Sequence, residues 1–237
     1  MSPAARPASR IAKLDARAAA AATRALAHRA APDARMRALV RRVGPCPLRA
    51  TGRPYAYLVR SVLYQQLAGA AAAAIERRFL ALFDGRTPRP EALARAGDAR
   101  LRSAGLSGGK ARALRSIGEA FASGAVRERR LWHLDDDAVV RALSSIHGVG
   151  AWTAHMVLMH ALGRPDVLPV GDYGVRKGAQ QLYGLDALPA PRELEAIAGA
   201  WQPYRSVAAW YLWRHDAIAE LAHEEIAEER ASGPRRR

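Results

Sequence analysis

Apolar residues recur along this chain three and four positions apart, the period of an α-helix, and no sustained stretch alternates in the manner of a strand. From Ile11 to Ala30 the chain is alanine-rich and strongly helix-forming. Pro32 opens a second helix through Met36, Leu39, Val40 and Val43, which Gly44-Pro45 stops. A long helix is expected after Pro54, with Leu58, Val62, Leu63 and Leu67 at helical spacing and Ala70 to Ala74 letting a neighbour approach closely. Gly85 to Pro90 reads as a loop. Short helices over about 90–96 and 98–104 precede a longer one carrying Lys110, Ala113, Leu114, Ile117 and Phe121. Asp135 caps a helix through Val139, Val140 and Leu143. Another runs from Trp152 to Leu162, and the loop Gly163 to Gly171 joins it to a helix over Tyr173 to Tyr183 that Gly184 ends. Pro203 begins the last helix, through Val207, Trp210, Tyr211, Leu212 and Trp213. With no internal repeat, the chain reads as all-α.

Composition narrows the partners. At 237 residues the chain makes one domain or two small lobes, with half of its residues hydrophobic. A formal net charge of +15 and a pI near 11.1 favour a polyanionic partner. Lysine occurs only at positions 13, 110 and 177, so part of this charge reflects a general preference for arginine. Cys46 is the only cysteine, which excludes an intrachain disulfide and any cysteine-ligated cluster or zinc site; it reads as an inert thiol. No run of about 18 apolar residues spans a membrane, and the N-terminus lacks the apolar core of a secretion signal, so a cytoplasmic protein is expected. Residues 1–10 and the basic 231–237 read as tails around a folded 11–230.

The chemistry concentrates between residues 143 and 173. Leu143, Ile146, Val149, Ala154, Val157 and Leu158 place apolar groups on both sides of the tight turn Gly148-Val149-Gly150. Glycine permits positive φ and leaves no side chain between backbone and ligand. The amides around Gly150 open a new helix, where unpaired N–H groups and the helix dipole favour a phosphate oxygen. Such a contact positions a duplex without reading its bases. The same pattern also occurs at ordinary helix–turn–helix corners; the apolar flanks and Trp152-Thr153-Ala154 favour a DNA-binding hairpin over about 136–162, with Gly148, Val149, Gly150 and Thr153 at the contact. His147, His155 and His160 read as solvated or core histidines. Asp172 precedes an apolar-periodic helix and is placed to cap it. An N-terminal helix position favours the ionised carboxylate, the form needed to stabilise a developing sugar cation or to orient water.

This hairpin, the Pro169-Val170-Gly171-Asp172 run and Trp201-Gln202-Pro203-Tyr204-Arg205-Ser206 resemble the helix-hairpin-helix DNA glycosylases, most closely their alkylation-repair branch, 3-methyladenine DNA glycosylase II. The resemblance covers roughly 32–215. It implies two helical lobes with an active-site cleft between them, the hairpin and Asp172 at its mouth, and Asp172 as the catalytic aspartate; Asp166 lies off the motif. Family members that also cut the DNA backbone carry a Schiff-base lysine two residues after the second hairpin glycine. Here that position is Trp152, which implies a monofunctional enzyme. Alkylated purines are cationic, so an aromatic pocket suits them; motif match points to Trp152 and Trp213, with Met156 one turn beyond Trp152, and Tyr173 beside Asp172. Trp201 reads as a packing residue. Leu63-Tyr64-Gln65-Gln66-Leu67 resembles the segment that fills the gap left by a flipped base, which makes Gln65 and Gln66 DNA-contact candidates. Duplex DNA with damaged bases is the implied partner of a monomer. No cofactor is required, although hairpin carbonyls can hold a monovalent cation in the family. Two rivals stay open: a glycosylase for oxidised, deaminated or mismatched bases, and a non-enzymatic hairpin protein that binds DNA structure. The second has no use for a carboxylate facing DNA.

Overall fold

The computed structural model describes residues 14–28, 31–67 and 69–215; the expected tails and the acidic segment after position 215 lie outside them. Every regular element among the described residues is helical. They divide into two compact units, one built on residues 50–164 and the other on 14–49 and 165–215.

The unit over 50–164 begins with α3 (Pro54–Tyr64), whose buried Tyr55, Leu58, Val59, Val62 and Leu63 repeat at helical spacing, with Pro54 in the first turn where its missing N–H costs nothing. The long helix expected here is two helices. Tyr64 ends the first, Gln66 adopts φ +56°, and α4 (Gly69–Ala81) starts afresh. Leu63 and Leu67 keep a four-residue spacing across the break, so the apolar pattern conceals it; Leu67 is exposed. Then come α5 (Pro90–Ala94), α6 (Asp98–Ser103) and α7 (Gly108–Ala122), the last capped by Ser107, which accepts from the Lys110 amide at 3.3 Å. Gly118 is where α5 crosses α7: a Cβ there would stand 2.5 Å from the Ala94 nitrogen. The one-turn α8 (Glu128–Leu131) was not foreseen. The hairpin follows as α9 (Asp136–Ser144), capped by Asp135, and α10 (Ala151–Val157), which continues as a π-helical turn over Leu158–Leu162. Buried Arg164 ties its end to the segment before α9, donating to the carbonyls of Leu131 and Leu134 and pairing with Asp136 at 3.5 Å.

In the second unit α1 (Ala16–Ala27) and α2 (Ala34–Val43) start one residue after an aspartate cap, Asp15 and Asp33. Asp33 rather than Pro32 therefore opens the second helix. Asp33 also accepts from the Trp201 indole at 2.9 Å and from the Tyr183 hydroxyl, which fixes Trp201 as the packing residue expected. Helix α11 (Tyr173–Tyr183) ends at left-handed Gly184. Helix α12 (Pro191–Ala198) and the short turn Gly199–Trp201 were not foreseen, although Pro191 in the first turn and Glu193 two residues on are start signals. The last helix, α13, covers residues 205–215 of the described chain; Pro203 lies in the turn before it. Gly178 of α11 meets α13 closely, a Cβ there standing 2.4 Å from the Leu212 carbonyl oxygen. Cys46 is buried, and burial pushes its thiol up to about 11, so it is unreactive.

Candidate active site and nucleic-acid interface

The hairpin turn is built by two glycines with different tasks. Gly148 has φ +82°, and a Cβ there would stand 2.4 Å from the Ala113 Cβ of α7, so both backbone and packing demand glycine. Gly150 lies at φ −95°, ψ 172°, ordinary extended backbone, with open space where a side chain would be. The expectation of positive φ thus holds for Gly148 alone. Gly150 instead leaves the start of α10 bare, and no side chain caps it. First-turn amides that a helix cannot pair internally therefore face an uncovered approach.

Val149 departs from its assignment as a contact residue. Its side chain is buried, and its N–H donates to the Ile146 carbonyl at 3.1 Å, closing the turn. Thr153 is also turned inward. It is 2% exposed, and its hydroxyl accepts from Gln65 Nε2 at 3.3 Å. The turn after α3 is thereby fastened to α10. A second fastening comes from Lys110, which sequence reasoning did not single out: its Nζ donates to the Leu63 carbonyl at 2.8 Å, and burial lowers its pKa. Leu63 lies in the last turn of α3, where carbonyls lack helical partners, and a charged donor is the strong way to satisfy one. Immediately after these two bonded positions Gln66 is exposed on strained backbone. An open pocket of about 760 Å³ joins this turn to the hairpin, lined among others by Gln65, Gln66, Lys110, Gly148, Gly150 and Trp152.

Trp152 is 43% exposed, whereas Met156 is buried. Together they line a smaller cavity of about 150 Å³ with Tyr57, Ser61, Tyr64 and Gln65. Tyr64 donates its hydroxyl to Glu76 at 2.6 Å, and Arg60, paired with Glu76 at 3.0 Å, lies 4.1 Å from the Tyr64 ring centre. His160 stacks on Tyr57 with ring centres 5.6 Å apart, and burial lowers the pKa of both His155 and His160. These two histidines belong to packing, as expected, while exposed His147 borders the hairpin pocket.

Asp172, Tyr173 and Trp213 belong to the other unit. Asp172 is 7% exposed and caps α11, accepting from the Val175 amide at 2.8 Å. The same oxygen, Oδ1, accepts from the Trp213 indole N–H at 2.8 Å. Two donors converge on this one oxygen, which fixes the orientation of the carboxylate. Trp213, expected as a stacking surface, thus also orients the carboxylate. The pairing spans 41 positions and leaves no trace in local sequence. Gly174 makes it possible: a Cβ there would lie 2.9 Å from Trp213 Cδ1 and 3.4 Å from Asp172 Oδ1. Tyr173 is 64% exposed. Asp166 is engaged elsewhere, accepting from Arg205 Nε at 2.7 Å and Nη2 at 2.9 Å, so it holds structure.

Comparison with known proteins places the chain in a family. Residues 59–203 match the family model described as HhH-GPD superfamily base excision DNA repair protein. The chain is 33% identical over 203 residues to DNA-3-methyladenine glycosylase 1 of Schizosaccharomyces pombe, spanning 84% of this chain and 89% of that one. A solved structure of the fission-yeast 3-methyladenine DNA glycosylase in complex with abasic DNA superimposes with a TM-score of 0.73 at 34% identity, covering 82% of this chain and 95% of that chain. The DNA-3-methyladenine glycosidase of Bacillus halodurans gives 0.74 at 36% identity, with 84% and 91% covered. Among the described residues no helix is long and apolar enough to cross a membrane.

Proposed function

Because this chain belongs to the HhH-GPD superfamily of base excision DNA repair proteins, we propose that it is a monofunctional DNA glycosylase that releases alkylated, cationic purines such as 3-methyladenine and 7-methylguanine. The observation that carries the reading is Asp172: a buried carboxylate at a helix start, fixed by the Val175 amide and the Trp213 indole. Breaking an N-glycosidic bond leaves positive charge on the sugar, and a fixed anion stabilises that charge or orients the attacking water. A cationic purine is already a good leaving group, so little acid catalysis is needed. Its charge is also drawn to an aromatic face, a contact worth about 0.5–2 kcal/mol, and Trp152 and Tyr173 offer exposed ones.

The hairpin amides at Gly150 hold a phosphate, and the turn at Gln65 and Gln66 enters the gap left by the flipped base. Trp152 stands where a lyase would carry its lysine. Lys110 is bonded to the Leu63 carbonyl and Lys177 lies 3.4 Å from Gln180 Oε1, which supports hydrolysis without strand cleavage. A monovalent cation fits the turn between α9 and α10: residues Ser145 to Gly150 offer carbonyl oxygens and no carboxylate, a donor set suited to one charge rather than two. When bound, it would lessen the repulsion of the incoming phosphate. The protein acts as a monomer.

The test is release of 3-methyladenine and 7-methylguanine from methylated duplex DNA, wild type against Asp172→Asn. Free base from the wild type with abasic sites left uncut, and a rate lower by about 10²–10⁴ in the variant with DNA binding retained, is the expected outcome. An active Asp172→Asn protein rules out the assignment.

A further inference from the structure

From the 65–67 turn, α4 carries the chain about 20 Å away, thirteen residues at about 1.5 Å each. At its far end the chain between Leu82 and Arg100 forms a second pocket of about 700 Å³. Four arginines line it, Arg86, Arg89, Arg95 and Arg100, against one carboxylate, Asp84. Among the described residues none of the four enters an ion pair, whereas Arg60, Arg115, Arg164 and Arg205 each do. A general preference for arginine explains abundance, but not four arginines outside any ion pair facing one cavity with a single carboxylate. Like charges gathered at a concave surface repel one another and concentrate positive potential. The arrangement is also partly preorganised. Arg100 lies 5.0 Å from the Phe83 ring centre and donates to the Leu82 carbonyl. Arg89 precedes Pro90, which restricts its backbone to the extended form found, φ −63°, ψ 151°. Guanidinium forks of this kind match phosphate oxygens.

We propose that this pocket is a second DNA-phosphate site, which takes backbone phosphates remote from the damaged base. It rests on the reading of the chain as a glycosylase acting on DNA. The length of α4 corresponds to about six base-pair steps at ~3.4 Å, so the contacts belong to flanking duplex. They raise affinity for undamaged DNA and the time spent on it, and leave base excision itself unaltered.

Binding of a short undamaged duplex, measured by fluorescence anisotropy against salt concentration, tests this with an Arg86→Gln/Arg89→Gln/Arg95→Gln variant. Arg100 is left in place because it also packs. Each phosphate contact contributes about 0.9 to the slope of log K against log salt. The variant's slope is expected to be shallower by about two to three. Three such contacts account for about a 40-fold loss of affinity per fourfold rise in salt, since 4 to the power 2.7 is about 42. The corresponding triple lysine variant retains the slope, and single-turnover excision by the glutamine variant at saturating DNA matches wild type. A wild-type slope in the glutamine variant overturns the proposal, even if the wild type binds inorganic tripolyphosphate. A wild type that binds no duplex overturns the glycosylase reading instead.

Discussion

Gly174 offers the sharpest test of how the carboxylate is held. Replacing it with alanine puts a methyl 2.9 Å from Trp213 Cδ1 and 3.4 Å from Asp172 Oδ1. Carbon atoms rest about 3.5–4.0 Å apart, so the indole must retreat by roughly 0.6–1.1 Å. The bond from Trp213 to Asp172 is 2.8 Å long. A shift of that size carries it beyond the ~3.2 Å at which such bonds normally end. Misplacing a reacting group by about 1 Å costs up to 10²-fold in rate. Gly174→Ala is therefore expected to lower the single-turnover rate on 7-methylguanine DNA by roughly 10–100-fold, with DNA affinity unchanged.

The cost in stability should be moderate and leave the protein folded at assay temperature. Alanine gains up to about 1 kcal/mol over glycine inside a helix, against an overpacking cost of about 1–3 kcal/mol. The net loss of roughly 0–2 kcal/mol lowers Tm by less than about 8 °C in a chain of this size. Trp213→Phe removes the N–H donor while keeping a ring, and should lose activity to a similar degree. If both substitutions act through the one bond, the double variant is less than about threefold worse than the poorer single variant. A Gly174→Ala protein at full single-turnover rate, or losses that multiply in the double variant, would refute the reasoning.

The hairpin glycines should separate in experiment. Gly148→Ala meets both positive φ, about 1–2 kcal/mol, and the Ala113 methyl, about 1–3 kcal/mol more, and should show as a large fall in the urea midpoint. Gly150→Ala meets neither, so the midpoint holds while duplex affinity, read by anisotropy, drops as the new methyl obstructs the bare amides. Lys110→Met leaves the Leu63 carbonyl without its charged donor; base flipping, followed with a fluorescent base analogue, should weaken more than affinity for undamaged DNA. Burial lowers the pKa of His160 below its ordinary 6.5, so the unfolded chain binds that proton more readily. Its contribution is complete above pH 6.5 and is lost as pH falls from there through the lower folded value; Tm scans should show the decline, and His160→Phe, which keeps a ring on Tyr57, should flatten it in part, His155 supplying the rest.

Helices with a polar cap and a glycine stop were legible along the chain: Asp135 before α9, and Asp172 with Gly184 around α11. The break after Tyr64 was not, because the turn residues Gln65, Gln66 and Leu67 include neither glycine nor proline and the apolar spacing runs through them. Tertiary bonds define that turn, from Lys110 to Leu63 and from Gln65 to Thr153, which join positions 47 and 88 apart. The candidate site divides in the same way. Asp172 and the two glycines announce themselves by residue type and spacing. The inward turn of Val149 and Thr153 does not, since a short segment at a corner gives no sign of which face is buried.

Trp213 shows how a role read from residue type changes once a partner is known. An aromatic residue in a glycosylase-like pattern invites the reading of a stacking surface, and a ring that only stacks would tolerate phenylalanine. The indole here spends its single N–H on Asp172, and phenylalanine has no N–H to replace it. Loss of that donor should therefore appear in kcat, whereas loss of a stacking face should appear in KM. In Trp213→Phe kcat for 7-methylguanine release is expected to fall with KM nearly unchanged, because the ring remains and the donor to Asp172 Oδ1 is gone. Removing the exposed ring of Trp152 should instead raise KM for cationic bases. A Trp213→Phe protein with wild-type kcat would return Trp213 to a stacking role alone.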